Sequence, residues 1–76
     1  MITIDFSQKT PIYKQLVEQL TRMIKSGELK PGDKLPTERD LAEKLCIARG
    51  TVKKAYKELS DNNIIEVIHG LSLIHI

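Results

Sequence analysis

Within the segment ARGTVKKAYKEL, residues 48–59, Arg49, Lys53, Lys54 and Lys57 stand against a single acid, Glu58. Cationic side chains at helical spacing do not break bonds unaided. They bind anions, and a row of them suits the evenly spaced phosphates of a duplex. Arg49 and Lys53 lie one turn apart, and the small residues Gly50 and Thr51 between them let the backbone approach a groove edge. An arginine so placed can donate two bonds to guanine O6 and N7, worth about 1–3 kcal/mol of discrimination, while Thr51 can serve a phosphate or a thymine methyl. Lys54 and Lys57 read as phosphate or solvent contacts, the bland alternative for both being a solvated charged face. Arg39, ten residues upstream of Arg49, can likewise grip phosphate.

Positioning such a row requires a rigid support, and Leu35 to Leu59 supplies two amphipathic helices joined by a turn short enough for a helix-turn-helix. Ala42 is small where two helix axes must approach, Cys46 falls where the backbone has to turn through positive φ, and Val52 fills the angle between the helices. Cysteine in place of glycine at that turn should cost about 1 kcal/mol. Thr37 is placed to cap the first of the two helices, with Asp40 expected to reach back to the Thr37 amide in a shortened capping box. That helix runs to about Leu45. The second, the expected recognition helix over about residues 49–61, buries Val52, Ala55, Tyr56 and Leu59 and runs out at Asp61-Asn62-Asn63.

Upstream, Ile2, Ile4 and Phe6 alternate with polar residues, the pattern of an extended arm or edge strand over residues 1–9. Thr10-Pro11 reads as a helix start, Thr as cap and Pro at the first helical position. Ile12, Leu16, Leu20, Met23 and Ile24 then form an apolar stripe, widened by Tyr13 and Val17, which ends at Lys25 and Gly27. Lys30-Pro31-Gly32-Asp33 is a turn, with Gly accepting positive φ, and Lys34-Leu35 a very short strand. The closing stretch IIEVIHGLSLIHI is rich in β-branched residues, and His69-Gly70 in its middle reads as a hairpin turn. The fold class expected is mainly α with a small β-hairpin: three helices and a wing.

The chain has 76 residues, enough for one small domain, 1–76, near the lower limit for a single apolar core. With 41% hydrophobic and 29% charged residues it reads as a soluble globular protein, and a net charge of +2 is only permissive of nucleic acid. The lone Cys46 rules out an internal disulfide and fits a reducing cytoplasm. Neither a signal peptide nor a stretch as long as a membrane span is legible. Cys46, His69 and His75 have no metal-ligand spacing, and Cys46 reads as a small apolar filler rather than a redox thiol. No phosphate loop or nucleophile-base pair appears, so neither enzyme activity nor a cofactor is expected.

The segments PIYKQL, GELKPGDKLPTERDLA and RGTVKKAYKEL are specific in combination, and over about residues 10 to 70 the chain resembles the N-terminal winged helix domain of the GntR family of bacterial transcription regulators. The PIYKQ opening looks most like the YtrA-like or HutC-like branches. The resemblance implies a cytoplasmic, dimeric, ligand-responsive regulator binding double-stranded DNA at a two-fold symmetric operator. Carried onto matching positions, its DNA contacts fall on Arg39, Arg49, Thr51 and Lys53, with Gly50 at the close approach and the wing tip at His69 and Gly70 in the minor groove. Three departures stand out. The family usually has Gly at Cys46 and Ser or Thr at Ala48, and its wings are rich in Gly and Arg where LSLIHI is apolar. The effector-binding, dimerising domain expected after the wing is not represented, so the chain reads as an isolated DNA-binding module, a truncated piece of a longer regulator, or a chain with a foreign or frameshifted end, and is not expected to bind effector itself. Residues 71–76 then form an atypical apolar tail that the arm, within the chain or across a dimer, is expected to cover. The rival reading is a winged helix used for protein interaction or self-association, with little DNA affinity.

Overall fold

Pro11 rather than Thr10 sets the start of the first helix in the computed structural model, which describes residues 2–68 and 72–75. A fixed φ suits either a cap or a first turn, so ψ decides, and at 148° Pro11 is extended. Its carbonyl accepts the Gln15 N–H at 3.1 Å, no side chain caps the helix, and α1 spans Ile12–Ser26. The cap expected from Thr10 is not made. Gly27, at φ 88°, closes α1 in the left-handed region, as the sequence predicts. Asp33 N–H then meets the Lys30 carbonyl at 2.9 Å across the turn that Gly32 permits with φ 91°.

The remaining elements are β1 (Lys34–Leu35), α2 (Glu38–Leu45), α3 (Arg49–Asp61), β2 (Ile65–Ile68) and β3 (Ser72–His75). Thr37 Oγ1 accepts the Asp40 N–H at 3.0 Å and so caps α2. The return bond from the Asp40 carboxylate is absent among the described residues, since aspartate is one methylene shorter than the glutamate of a full capping box. Cys46 ends α2 at φ 57° and ψ 45°, the positive-φ turn that the helix-turn-helix spacing demands. It is exposed, not the apolar filler expected. Ala48 holds the extended conformation of an N-cap at the start of α3 but its methyl offers no hydrogen-bond acceptor.

Both departures act on one turn and both have a remedy. Cys46→Gly removes the left-handed strain and is expected to stabilise the chain by about 1 kcal/mol, some 4–8 °C in Tm for a domain this small. Ala48→Ser adds a cap worth about 1 kcal/mol. Thermal melts followed by circular dichroism check both, and a Gly variant that melts lower contradicts the strain argument.

The core gathers Leu16 and Leu20 from α1, Leu41 and Ala42 from α2, and Val52, Ala55, Tyr56 and Leu59 from α3, with Leu35 and Ile65 from the sheet side. Tyr56 lies at its centre, 2% exposed, and its hydroxyl donates to the Pro36 carbonyl at 2.8 Å. That bond ties α3 to the segment joining β1 to α2.

The strands form one antiparallel sheet in the order β1-β3-β2, with Leu35 opposite Leu73 and Val67 opposite Leu73 on the other side. Residues 72–75 are therefore its central strand, with a partner along each edge. The expected hairpin pairing is present, with Ile68 opposite Ser72. The turn itself, His69-Gly70, and the tail residues Leu71 and Ile76 lie outside the described residues.

The arm is not a strand, and it is extended only as far as a turn closed by Gln8 N–H on the Asp5 carbonyl at 3.4 Å. Ile2 and Ile4 pack against the core. Its backbone bonds go to two amides one helical turn apart on α1. Gln15, 5% exposed, accepts the Asp5 N–H at 2.9 Å through Oε1, and its Nε2 donates to the carbonyls of Asp5 at 2.9 Å and Thr10 at 3.0 Å. Gln19 repeats the pairing, accepting the Thr3 N–H at 2.8 Å and donating to the Thr3 carbonyl. Two residues of extended chain nearly match one turn of helix, about 6–7 Å in each case, so the glutamines act as a substitute strand edge.

Candidate nucleic-acid interface

One face of α3 is locked by Val52, Ala55, Tyr56 and Leu59, all at most 2% exposed, which fixes the other face toward solvent. Arg49, Gly50, Lys53, Lys54 and Lys57 are exposed there and Thr51 is half-buried. The helix is rigidly based, so its exposed side chains start from defined positions.

The five cations of the sequence reading are not equivalent in their surroundings. Arg49 and Lys53 have no carboxylate partner among the described residues and project from the first half of α3. Lys57 Nζ pairs with Asp61 Oδ2 at 3.0 Å, and Arg39 Nε with Glu43 Oε1 at 3.4 Å. All four side chains of these pairs are more than 60% exposed, and such i,i+4 pairs are worth about 0.3–0.5 kcal/mol. A phosphate competes easily with that, which leaves Arg39 available at the start of α2. Lys54 is different again: its Nζ sits 4.1 Å from the centroid of the Tyr13 ring, a contact between α3 and α1.

Gly50 is helical, and a Cβ built on it meets nothing within 4 Å. Nothing inside the chain therefore requires glycine at this position, and a glycine in a helix costs about 0.5–1 kcal/mol relative to alanine. On the close-approach expectation, an added methyl there would meet a surface outside the chain rather than one inside it. Gly50→Ala is accordingly expected to raise the melting temperature and weaken duplex binding together. A variant that binds as well as wild type would remove the close-approach role.

His69 and Gly70, the expected wing tip, lie outside the described residues. Among the described residues no three of His, Cys, Asp and Glu converge as metal ligands, and no helix is long and apolar enough to cross a membrane. Sequence reasoning missed the ring beneath Lys54 and the two glutamines that hold the arm. The glutamines did leave a signal, a pair at i and i+4 facing a period-two arm.

Three helices, a capped helix-turn-helix and a three-stranded wing sheet make this a winged helix-turn-helix protein. Residues 12–73 match the family described as bacterial regulatory proteins, gntR family; the chain belongs to that family, and its fold is the winged helix-turn-helix DNA-binding domain of such regulators. The HTH-type transcriptional repressor YtrA of Bacillus subtilis (strain 168) is 47% identical over 70 residues, which cover 92% of this chain and 54% of that protein. The solved structure of YtrA from Sulfolobus acidocaldarius, a GntR-family transcription factor, superposes with a TM-score of 0.92 at 47% identity, covering 97% of this chain and 63% of that one. Both likenesses lie with the YtrA-like branch. The DNA-binding domain of AraR in complex with operator ORX1 has the same fold, with a TM-score of 0.87 at 24% identity, over 99% of this chain and 96% of that one. This chain spans about half the length of the Bacillus subtilis relative.

Proposed function

We propose that this chain reads an operator as the DNA-binding part of a bacterial repressor, acting in the cytoplasm as a dimer on a two-fold symmetric site. α3 enters the major groove, where Arg49 reads base edges and Thr51 and Lys53 contact bases or backbone, while Gly50 lets the helix come close. Arg39 grips phosphate from the start of α2. His69 and Gly70 reach the adjacent minor groove, and effector control belongs to residues other than these. The observation that carries the reading is the pair Arg49 and Lys53, two exposed cations one turn apart without carboxylate partners among the described residues, on a helix whose opposite face is locked in the core.

The test is selection of duplexes from a random library by the chain, followed by fluorescence anisotropy of the winners at low and moderate salt. The expected result is a two-fold symmetric site whose affinity falls steeply as salt rises, because each neutralised phosphate releases counterions. Failure of a folded chain to enrich any sequence, or association that holds as salt rises, contradicts the reading and favours an apolar protein partner.

A further inference from the structure

We infer that Lys54 is a pre-aimed contact to a backbone phosphate at the flank of the major-groove footprint, and that Tyr13 of α1 is the positioning residue that aims it. The inference rests on the DNA reading above. Tyr13 is half-buried and packed against the core, so its ring is a fixed platform presented by a second helix, with the Lys54 ammonium 4.1 Å from its centroid. A free lysine has many rotamers and must be ordered when it meets a phosphate, whereas one resting on a ring has already given up much of that freedom.

The stacking does not consume the charge. A ring face engages one side of the ammonium, and the remaining N–H donors stay open to an oxygen. This is the contrast with Lys57, whose ammonium faces the carboxylate of Asp61. Lys54 has no carboxylate partner among the described residues, and the first turn of α1 contains no acid. One residue beyond Lys53, Lys54 is rotated about 100° around the helix, which moves its charge off the groove-facing row toward α1. The ligand that fits a lone ammonium there is a phosphodiester oxygen, bound without preference for the base it carries.

The experiment is anisotropy of the full chain on a mixed-sequence duplex over a series of salt concentrations. Lys54→Ala is expected to lower the slope of log K against log salt by about one, with a similar loss on every sequence. Tyr13→Leu is expected to weaken binding about two- to fivefold, with Tyr13→Phe restoring it because the ring remains. In a Lys54→Ala background Tyr13→Leu should add nothing further. Additive losses, or an unchanged slope in Lys54→Ala, overturn the inference. Lys54 is exposed, so the slope measurement stands even if Tyr13→Leu fails to fold. A folded wild-type chain that binds no duplex overturns the DNA reading and this inference with it; binding with additive losses overturns this inference alone.

Discussion

Arg49→Ala and Lys53→Ala are each expected to weaken operator binding by about 1–3 kcal/mol, roughly 5- to 150-fold, while leaving the melting temperature close to that of wild type. The two halves of that expectation have separate causes. Both side chains are exposed and have no carboxylate partner among the described residues, so their removal opens no cavity and orphans no buried group, and surface substitutions of that kind usually change stability by less than about 0.5 kcal/mol. Binding loses whatever each cation gives to bases or phosphate. The pattern distinguishes their roles. Loss at Arg49 that relaxes preference at one base pair marks base reading, and loss at Lys53 that is uniform across sequences with a shallower salt slope marks phosphate. Titrations of both variants against the selected operator and a shuffled duplex make the comparison, and a variant that binds the operator like wild type removes that residue from the interface.

Tyr56 is where the largest loss of stability is expected. A chain of this size has about 4–11 kcal/mol of stability in total, and removing a buried ring costs about 3–5 kcal/mol, so Tyr56→Ala should sit near the threshold of unfolding. Tyr56→Phe keeps the ring and loses only the bond to the Pro36 carbonyl, a change of about 1 kcal/mol. The phenol adds a pH dependence. Burial first, and the Glu38 carboxylate second, push its ionisation well above the ordinary tyrosine value. A raised native value means that the contribution is complete below the unfolded value, about 10, and is lost as pH rises from there toward the native one. Wild type should therefore lose stability above pH 10 more steeply than Tyr56→Phe. Denaturant melts of both chains at neutral and alkaline pH check this, and parallel losses contradict it.

The helix-turn-helix was legible because its rules are local. Thr37 caps α2, Cys46 takes positive φ, and α3 spans Arg49–Asp61, each where spacing, capping chemistry and apolar periodicity pointed to the same residues. Where two local rules conflict, the reading slipped: Thr10-Pro11 permits a cap at either residue, and ψ alone chose Pro11. Tertiary partners were the least visible. Nothing in the sequence connects Lys54 with Tyr13, which belongs to a different helix, and amides that hydrogen-bond an arm leave no hydrophobic pattern. Within LSLIHI, residues 72–75 are the central strand of the sheet, a placement set by pairing with β1 and β2 rather than by any spacing inside the segment.

That strand order has a consequence for how the domain is born. Of the described elements β3 is made after all the others, yet it is the one to which both other strands bind. β1 emerges early and waits through α2, α3 and β2 for its pairing of Lys34 with Ile74. A nascent chain that ends at Ile68 contains all three helices, whereas β1 and β2 still lack the strand to which both pair. The wing sheet thus can close only after the residues of all three helices have been made.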